Sequence, residues 1–395
     1  MNIDQKLDLL GGLTAQEFMR HYWQRKPLLI RQAIPGFKPS LSIANIRQLV
    51  KRDEVESRLI WRDDKGWNMK TGPFTRLPAA HQPNWTLLAQ SVDLHDDATA
   101  ALMQRFRFIS DARLDDAMIS IATDGGGVGP HFDSYDVFQL QAHGKRRWRI
   151  SQQDDLTLEP GLPLKILKHF QPEQEFVLEP GDMLYLPPHA AHDGVAEGDC
   201  MTISIGFRAP TQATLACGML EAVNDQIMAN LGDTGGLYAN PTIRGPILST
   251  AFKDAGTPAT EHPAALPQTL IDATLKAAQK IKFTEALAER FLGQWLTEPP
   301  SNAYFEPGDE SIDLNNEMPT HGKLLADRCT RLMYRGKQLF INGEVACVQA
   351  TAALRHLADA RELSCDHALA RKLNESELRL LTEWLHEGWL HYRAA

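Results

Sequence analysis

The sequence has few cysteines, and none of them form a pair that could hold zinc. Its five cysteines lie far apart along 395 residues, and no C-x-x-C occurs. This spacing argues against a cysteine zinc site and for a reducing cytoplasm. Because no run of about 18 apolar residues exists, we expect no membrane-spanning helix. The first residues also lack the basic-then-apolar order of a signal peptide.

Positive charge is in deficit as well. The chain has 41 lysines and arginines against 50 aspartates and glutamates, for a formal net charge of -9. That balance argues against wholesale binding to duplex nucleic acid and suits a basic protein or peptide partner. A mildly acidic charge can also serve solubility alone, and composition leaves both interpretations open.

Short apolar segments separated by Gly, Pro and Asp turns dominate the chain up to residue 210. Together they indicate an antiparallel double-stranded β-helix of the cupin or jelly-roll class. We predict a turn at His143-Gly144 and strands over residues 117–123, 136–141, 145–150, 183–186 and 200–208.

After Pro210 the pattern becomes helical. Apolar residues recur at helical spacing over 215–231, and this stripe suits a buried core and a dimer interface equally well. A second helical stretch covers 269–296. Near the end we predict a strand at 338–341, helices near 349–360 and 374–387, and a final strand at 389–393, an order compatible with a winged helix.

These patterns predict a mainly β barrel followed by helical and α+β parts, in three domains. The first domain is the barrel with its N-terminal helices, residues 1–210. The second is a helical region, residues 211–300. The third is a winged-helix-like module, residues 301–395.

A glycine-rich bend, Gly125 to Gly129, leads into His131-Phe132-Asp133. In an extended segment, residues i and i+2 point to the same face, so His131 and Asp133 form a good chelating pair. Chance supplies the same spacing at His95 and Asp97. That second pair opens a predicted helix, where an aspartate caps free N–H groups, and we interpret it as structural.

The third ligand is expected from the segment around residues 187–195. His189 lies in a turn after two prolines, whereas His192 begins a strand that would hold its side chain more firmly. We therefore predict a metal site of His131, Asp133 and His192. Two imidazoles and one carboxylate leave positions open for a bidentate cosubstrate and O₂, which is typical of Fe(II) oxygenases. A closed zinc site would need a fourth protein ligand.

The basic run from Lys145 to Arg149 is divided by strand alternation. Arg146 shares a face with Trp148 and Ile150, so we expect its guanidinium to be buried. A buried guanidinium requires an anionic partner, and its planar fork suits a carboxylate. The far carboxylate of 2-oxoglutarate fits, and an internal Asp or Glu is the alternative. We also predict that Ser204, on the closing strand, donates a hydrogen bond to the cosubstrate.

Taken together, these motifs resemble the bacterial JmjC-type ribosomal oxygenases, and the resemblance is strong over residues 10–230. The family's metal ligands correspond to His131, Asp133 and His192, and its cosubstrate-binding basic residue corresponds to Arg146. One departure is His189, where the family tends to have glycine. The resemblance is carried by residues 125–133, 135–138, 145–149, 179–182 and 204–210.

The resemblance implies a cupin-fold arginine hydroxylase that acts on large-subunit ribosomal protein sixteen with Fe(II), 2-oxoglutarate and O₂. It also implies dimerisation through the helical region. Histidine or asparagine as the hydroxylated residue stays open. Carboxylates should meet an arginine substrate, but the sequence assigns none of the neighbouring Asp124, Asp136 and Asp193.

A different class of function is a non-catalytic, metal-sensing cupin whose winged helix binds nucleic acid. The complete triad together with Arg146 argues against a degenerate barrel. The acidic net charge argues against direct nucleic-acid binding, although a winged helix can keep a local basic face.

Overall fold

The structure is a computed structural model that describes residues 2–314 and 318–394. It divides into two compact units, Met1–Ala209 and Pro210–Ala395. The further boundary between residues 300 and 301 stays a prediction. Within the described ranges, no helix combines the length and apolarity needed to cross a membrane.

The first unit is built mainly of strands, with three short helices. Its helices are α1 (Ala15–His21), α2 (Ile43–Leu49) and α3 (Asp97–Gln104). Its strands are β1 (Lys6–Leu7), β2 (Leu13–Thr14), β3 (Leu28–Ile30), β4 (Ser57–Asp63), β5 (Gly66–Thr71), β6 (Trp85–Ala89), β7 (Leu114–Ala122), β8 (Val137–Ser151), β9 (Gln174–Leu178), β10 (Met183–Leu186) and β11 (Ala191–Phe207).

Two long antiparallel strands, β8 and β11, form the centre of this unit. The first half of β11 pairs with the second half of β8, which also pairs with β9. The second half of β11 pairs with β7 on one side and with the first half of β8 on the other. The sheet continues in the order β3-β10-β8-β11-β7-β6-β4-β5. The two strands therefore serve both halves of a jelly roll, and the predicted fold class is confirmed.

The predicted turn at His143-Gly144 is wrong, because β8 runs through it without a break. The strand pairing instead shifts register there, from Lys145 opposite Glu197 to His143 opposite Met201. Gly144 has φ +60°, and an added Cβ would lie 2.1 Å from the Asp199 carbonyl oxygen. The glycine therefore marks a bulge with a close backbone approach, which short-range patterns do not distinguish from a turn.

The second unit contains helices and two three-stranded sheets, in the orders β16-β12-β17 and β13-β14-β15. Its helices are α4 (Gln212–Ala229), α5 (Gln268–Ala278), α6 (Glu285–Thr297), α7 (Ala352–Ala360) and α8 (Glu375–His386). Its strands are β12 (Lys323–Ala326), β13 (Leu332–Arg335), β14 (Gln338–Ile341), β15 (Glu344–Val345), β16 (Glu362–Ser364) and β17 (Leu390–Arg393).

Most predicted elements of the second unit are present within a few residues of their expected bounds. The strand predicted at 338–341 is β14, and the two late helices are α7 and α8. The long helix expected over 269–296 is instead two helices, because the chain leaves helical geometry between Ala278 and Glu285. α6 begins there with its own cap, in which the Thr284 side chain accepts a hydrogen bond from the Leu287 N–H.

Candidate active site

The backbone brings His131 and His192 together directly. Each N–H donates to the other's carbonyl oxygen, at 2.9 Å and 2.8 Å, in an isolated antiparallel bridge. The glycine-rich bend permits this approach, since a Cβ on Gly127 would lie 2.7 Å from the Gly194 carbonyl oxygen on β11. The bend thus places His131 beside the strand that carries His192.

Hydrogen bonds fix the orientation of both imidazole rings. His131 Nδ1 lies 2.8 Å from the Gly129 carbonyl oxygen, and His192 Nδ1 lies 2.9 Å from that of Ala190. A carbonyl can only accept, so both rings carry their proton on Nδ1. Their Nε2 lone pairs are then available, which is the arrangement that metal-binding histidines commonly show.

Asp133 completes a cluster with these two rings. One ligand atom from each residue can be chosen so that all lie within 4.8 Å of one another, and His192 Nε2 is 3.7 Å from an Asp133 Oδ atom. Burial, followed by the effect of His131, lowers the pKa of His192 to about 4, so its ring is neutral at pH 7. His192 Nε2 is buried and has no hydrogen-bond partner among the described residues. An unpartnered, neutral imidazole nitrogen beside a carboxylate fits a divalent metal ion.

His189 does not join this cluster. It is exposed and has φ +64° in the turn before β11. Its backbone N–H donates to the Asp133 carbonyl oxygen at 2.7 Å, so the turn supports Asp133 through the main chain. The structure thus brings His192, and not His189, to His131 and Asp133.

The second H-x-D pair has the predicted structural setting. His95 ends a short 3₁₀ helix and Asp97 is the first residue of α3. The capping residue is Asp96, whose carboxylate accepts the Thr99 N–H at 2.8 Å. The cap is therefore one residue away from the aspartate that the sequence indicated.

A cavity of about 430 Å³ opens onto the metal cluster, within the usual range for small-molecule sites. Arg146, Trp148 and Ser204 line it together with residues that sequence reasoning missed. The missed residues include Asp116, Ser120, Tyr135 and Gln139. Asp116, Met118 and Ser120 share the face of β7 that lines the cavity. That periodicity was present in the sequence, but the predicted strand began one residue too late to include Asp116.

Arg146 is buried, as its alternation with Trp148 predicts, and only 5% of it is exposed. Its Nη1 donates to Ser120 Oγ at 3.3 Å, while Nε and Nη2 find no acceptor in the described part of the chain. The outward-facing Lys145, Arg147 and Arg149 are paired with Glu179, Glu175 and Glu197, and Asp193 respectively. Arg146 is the member of the run whose guanidinium fits an anion bound in the cavity.

Ser204 lies opposite Gln139 in the β11–β8 ladder, and both side chains are buried. Its hydroxyl donates to Gln139 Oε1 at 2.7 Å. A hydroxyl has a single proton, so Ser204 could donate to a cosubstrate only by releasing Gln139. Its predicted role therefore stays a prediction, and Gln139, whose amide this contact orients, is the neighbouring donor.

Among the described residues that line the cavity, Asp116 is the carboxylate outside the metal cluster. Burial, and then the nearby carboxylates of Asp93 and Asp115, raise its pKa to about 7. Its Oδ2 accepts the Ser91 N–H at 3.1 Å.

The three aspartates that stand next to the sequence motifs have structural partners instead. Asp124 accepts the Gly198 N–H, Asp136 accepts the Tyr185 hydroxyl, and Asp193 pairs with Arg149.

Comparison with known proteins places this site in a family. Residues 101–215 match the model of the JmjC domain, and residues 276–391 match that of the ROXA-like winged helix. The ribosomal protein uL16 3-hydroxylase of Escherichia coli (strain K12) is 31% identical over 95% of this chain and 97% of its own length. The chain belongs to the JmjC ribosomal oxygenase family. A probable ribosomal oxygenase of Haemophilus influenzae is 30% identical over 95% of this chain and 96% of its own.

Solved structures of this ribosomal oxygenase family agree with the fold. The E. coli protein YcfD has a TM-score of 0.77 at 28% identity, covering 96% of this chain and 98% of that one. YcfD in complex with cobalt and 2-oxoglutarate has a TM-score of 0.74 at 27% identity, covering 97% and 99%. The predicted winged helix is confirmed. The chain is an enzyme of the Fe(II)- and 2-oxoglutarate-dependent oxygenases, and its His-Asp-His cluster and Arg146 fit both cofactors.

Proposed function

We propose that this oxygenase hydroxylates the β-carbon of an arginine in a large-subunit ribosomal protein in the cytoplasm. The relative from E. coli is a uL16 3-hydroxylase, which supports both the ribosomal substrate and the position of hydroxylation. The net charge of -9 suits a basic ribosomal protein.

The side chains of the cavity divide the work between them. His131, Asp133 and His192 would hold Fe(II), and Arg146 would hold the far carboxylate of 2-oxoglutarate. When bound, these cofactors supply the oxidising power, drawn from O₂, that inserts oxygen into a substrate C–H bond. The protein keeps His192 neutral, fixes both rings through their Nδ1 protons, and holds the reacting carbon in a sheltered cavity.

The position of Asp116 in the cavity is the observation that supports arginine as the substrate residue. Asp116 lines the same cavity, and its carboxylate has the neighbouring carboxylates Asp93 and Asp115. A guanidinium entering the cavity would relieve the repulsion among these acids, and its N–H groups would donate hydrogen bonds to the Asp116 carboxylate. A neutral asparagine or histidine side chain would gain less from this acidic group.

The test is mass spectrometry of synthetic peptides from the ribosomal protein, incubated with enzyme, Fe(II) and 2-oxoglutarate. We expect the mass of one oxygen atom on the peptide with arginine, and none when that arginine is replaced by lysine or glutamine. Incorporation of oxygen only into a histidine or asparagine peptide would support the oxygenase activity but contradict arginine as the hydroxylated residue. Ribosomes from cells with and without the gene would then identify the modified residue in vivo.

We further propose that the chain is a homodimer that associates through the helical region. α5 has eleven residues, and none of them is buried in the single chain. Isolated helices of this length are only marginally stable in water. Leu270, Ile271 and Leu275 on α5 are exposed, as an interface awaiting a second copy requires. Light scattering should give twice the mass of one chain.

The C-terminal winged helix, we propose, does not bind duplex nucleic acid directly. α8 follows a short 3₁₀ helix in helix-turn-helix order and would be the helix that enters a groove. The exposed side chains of α8 include Glu375 and Glu383, Glu387 follows its last residue, and Arg379 is paired with Glu375. These acids would repel phosphates. A steeply salt-dependent affinity for duplex DNA or RNA would contradict this inference.

A further inference from the structure

Trp148 shares the cavity with Arg146 and the metal cluster, and none of the roles above uses it. It lies two residues beyond Arg146 on β8 and is only 3% exposed. The centroid of the Trp148 ring lies 5.8 Å from the centroid of the His192 ring. Arg146 Cζ lies 5.8 Å from the centroid of the Trp148 ring. The indole is thus close to both the proposed metal ligand and the proposed cosubstrate anchor.

The indole N–H of Trp148 is buried and has no acceptor within residues 2–314 and 318–394. Leaving a buried donor unpaired is costly, and native structures usually satisfy such groups. Arg146 Nε and Nη2 are in the same condition. Three unpaired donors on two adjacent inward residues of one strand call for a ligand that presents several acceptor oxygens.

A second tryptophan shows that burial alone does not create this arrangement. Trp85 on β6 is also buried with an unpaired indole N–H, but it does not line the cavity. Its ring lies near the Arg47 guanidinium, outside the proposed machinery. The two residues therefore differ in access to the cavity while sharing the same unsatisfied group.

We propose that the Trp148 indole N–H donates a hydrogen bond to the carboxylate of 2-oxoglutarate that Arg146 binds. This inference rests on the proposed placement of the cosubstrate against Arg146. An indole donor is neutral and rigid, so it adds a directed hydrogen bond without another positive charge in the cavity. Gly194 helps to fix the ring, because a Cβ there would lie 2.7 Å from a carbon of the Trp148 six-membered ring.

The experiment compares Trp148→Phe with Trp85→Phe in the full-length protein loaded with Mn(II) without O₂. Phenylalanine keeps an aromatic ring and removes only the N–H and part of the bicycle. Hydrogen bonds to charged groups are among the stronger ones in proteins. We expect the Kd for 2-oxoglutarate, measured by calorimetry, to rise about tenfold in Trp148→Phe, equivalent to about 1.4 kcal/mol, and to stay unchanged in Trp85→Phe.

A ligand that lacks the far carboxylate, 2-oxovalerate, distinguishes a lost hydrogen bond from a distorted cavity. If Trp148 meets the same carboxylate as Arg146, Trp148→Phe should weaken 2-oxovalerate much less than 2-oxoglutarate. Equal losses for both ligands, or unchanged affinity for 2-oxoglutarate, would overturn the proposal. If Arg146→Gln binds 2-oxoglutarate as well as the wild type does, the cosubstrate does not lie against Arg146. That outcome would contradict the proposed placement of the cosubstrate and is distinct from failure of the Trp148 hydrogen bond.

Thermal unfolding adds a readout that does not depend on turnover. The Trp148 N–H has no partner in the described chain, so its removal costs no internal hydrogen bond in the ligand-free protein. We therefore expect the metal-loaded Trp148→Phe variant without 2-oxoglutarate to melt close to Trp85→Phe. Saturating 2-oxoglutarate should raise Tm less in Trp148→Phe than in the control. An equal rise in the two variants would count against the hydrogen bond.

Discussion

Each of the two histidines of the cluster donates its Nδ1 proton to the carbonyl of the residue two positions before it. This local contact sets the tautomer before any metal arrives. Because the acceptor is backbone, it cannot be removed by mutating a neighbouring side chain. The tautomer and orientation of the two rings therefore depend on the backbone conformation of the glycine-rich bend and of the turn before β11.

Replacing His192 with alanine should abolish tight metal binding, whereas His189→Ala should change it little. Loss of an outer-shell partner alone typically costs roughly 10–100-fold in metal affinity, so loss of a ligand should cost more. His189 is exposed and contributes its backbone to Asp133, which alanine preserves. Titration with Co(II), followed by its visible absorption, measures both variants. Similar losses in the two would mean that the metal site includes the turn.

Asp116 should give substrate binding a dependence on pH near neutrality. Its pKa is raised to about 7, and a charged carboxylate binds a guanidinium more strongly than a protonated one. We expect kcat/KM for the arginine peptide to rise through pH 7 in the wild type. In Asp116→Asn it should be lower, and this rise should be lost. An unchanged rise in the variant would assign the titration to another group.

The same shift makes Asp116 a cost to folding at high pH. Its folded pKa of about 7 exceeds the ordinary value of 3.8, so the folded state holds its proton over a range where the unfolded chain does not. Stability contributed by the protonated group is therefore complete below about pH 4 and lost as pH rises toward 7. Asp116→Asn should consequently raise the urea midpoint more at pH 8 than at pH 6. An increase in the urea midpoint that is the same at both pH values would contradict the raised pKa of Asp116.

At the residue level, strand alternation predicted His131, Asp133 and Arg146, and the position at the start of a strand predicted His192. The structure brings these four residues into one cavity. Strand alternation could not predict Gln139, because its approach to Ser204 depends on the register of β8 against β11. That register is shifted by the bulge at Gly144, so side chains on either side of it cannot be aligned by counting.

At the scale of elements, β8 and β11 carry one metal ligand and the proposed cosubstrate-binding residues. Arg146 and Trp148 lie on β8, and His192 and Ser204 lie on β11. Gly194 stands opposite Trp148 in this ladder. Because Gly194 has no side chain, the Trp148 ring can pack closely against the backbone of β11.

Gly194→Ala should destabilise the first unit by overpacking. The added Cβ would lie 2.7–2.9 Å from three carbons of the Trp148 ring. Overpacking of a well-packed interior typically costs about 1–3 kcal/mol. Urea unfolding measures the loss, and the double variant Gly194→Ala/Trp148→Phe should lose less than the sum of the two single changes. Strict additivity would place the strain elsewhere.

Elements were predictable where a pattern was long and periodic, as for β14, α7 and α8 in the winged helix. The single helix expected over 269–296 failed because an apolar periodicity does not show a break between two helices that each keep it. The Thr284 cap was a local signal for that break. The bulge in β8 was predicted as a turn, because a single glycine in a strand pattern is compatible with both.

At the scale of the whole molecule, the two units have different relations to solvent. The first contains the cavity and the metal cluster, and most of its large apolar side chains are buried. The second leaves several apolar side chains of its helical region exposed, including Leu220, Leu275 and Phe283. A single copy of the chain therefore accounts for the catalytic site but not for this exposed apolar surface. The proposed dimer would cover this surface, and it can be tested on one helix.

Ile271→Glu/Leu275→Glu should convert the proposed dimer to monomer. These two residues are one helical turn apart on α5, and Leu275 is 58% exposed in the single chain. A buried aliphatic side chain contributes about 1.5–3 kcal/mol, so losing even one such contact should weaken association at least about tenfold. Sedimentation should show a species near the 44.2 kDa of one chain instead of twice that mass.

Lys276→Glu is the matched control for this dimer test, because it changes the net charge by the same two units on another face of the helix. It should remain dimeric. The double variant should also keep the wild-type affinity for 2-oxoglutarate, since Arg146 and the metal cluster lie in the other unit. A double variant that stays dimeric would place the interface away from α5. Dissociation of both variants alike would indicate long-range repulsion, which 1 M salt should then reverse, because screening shortens to about 3 Å at that concentration.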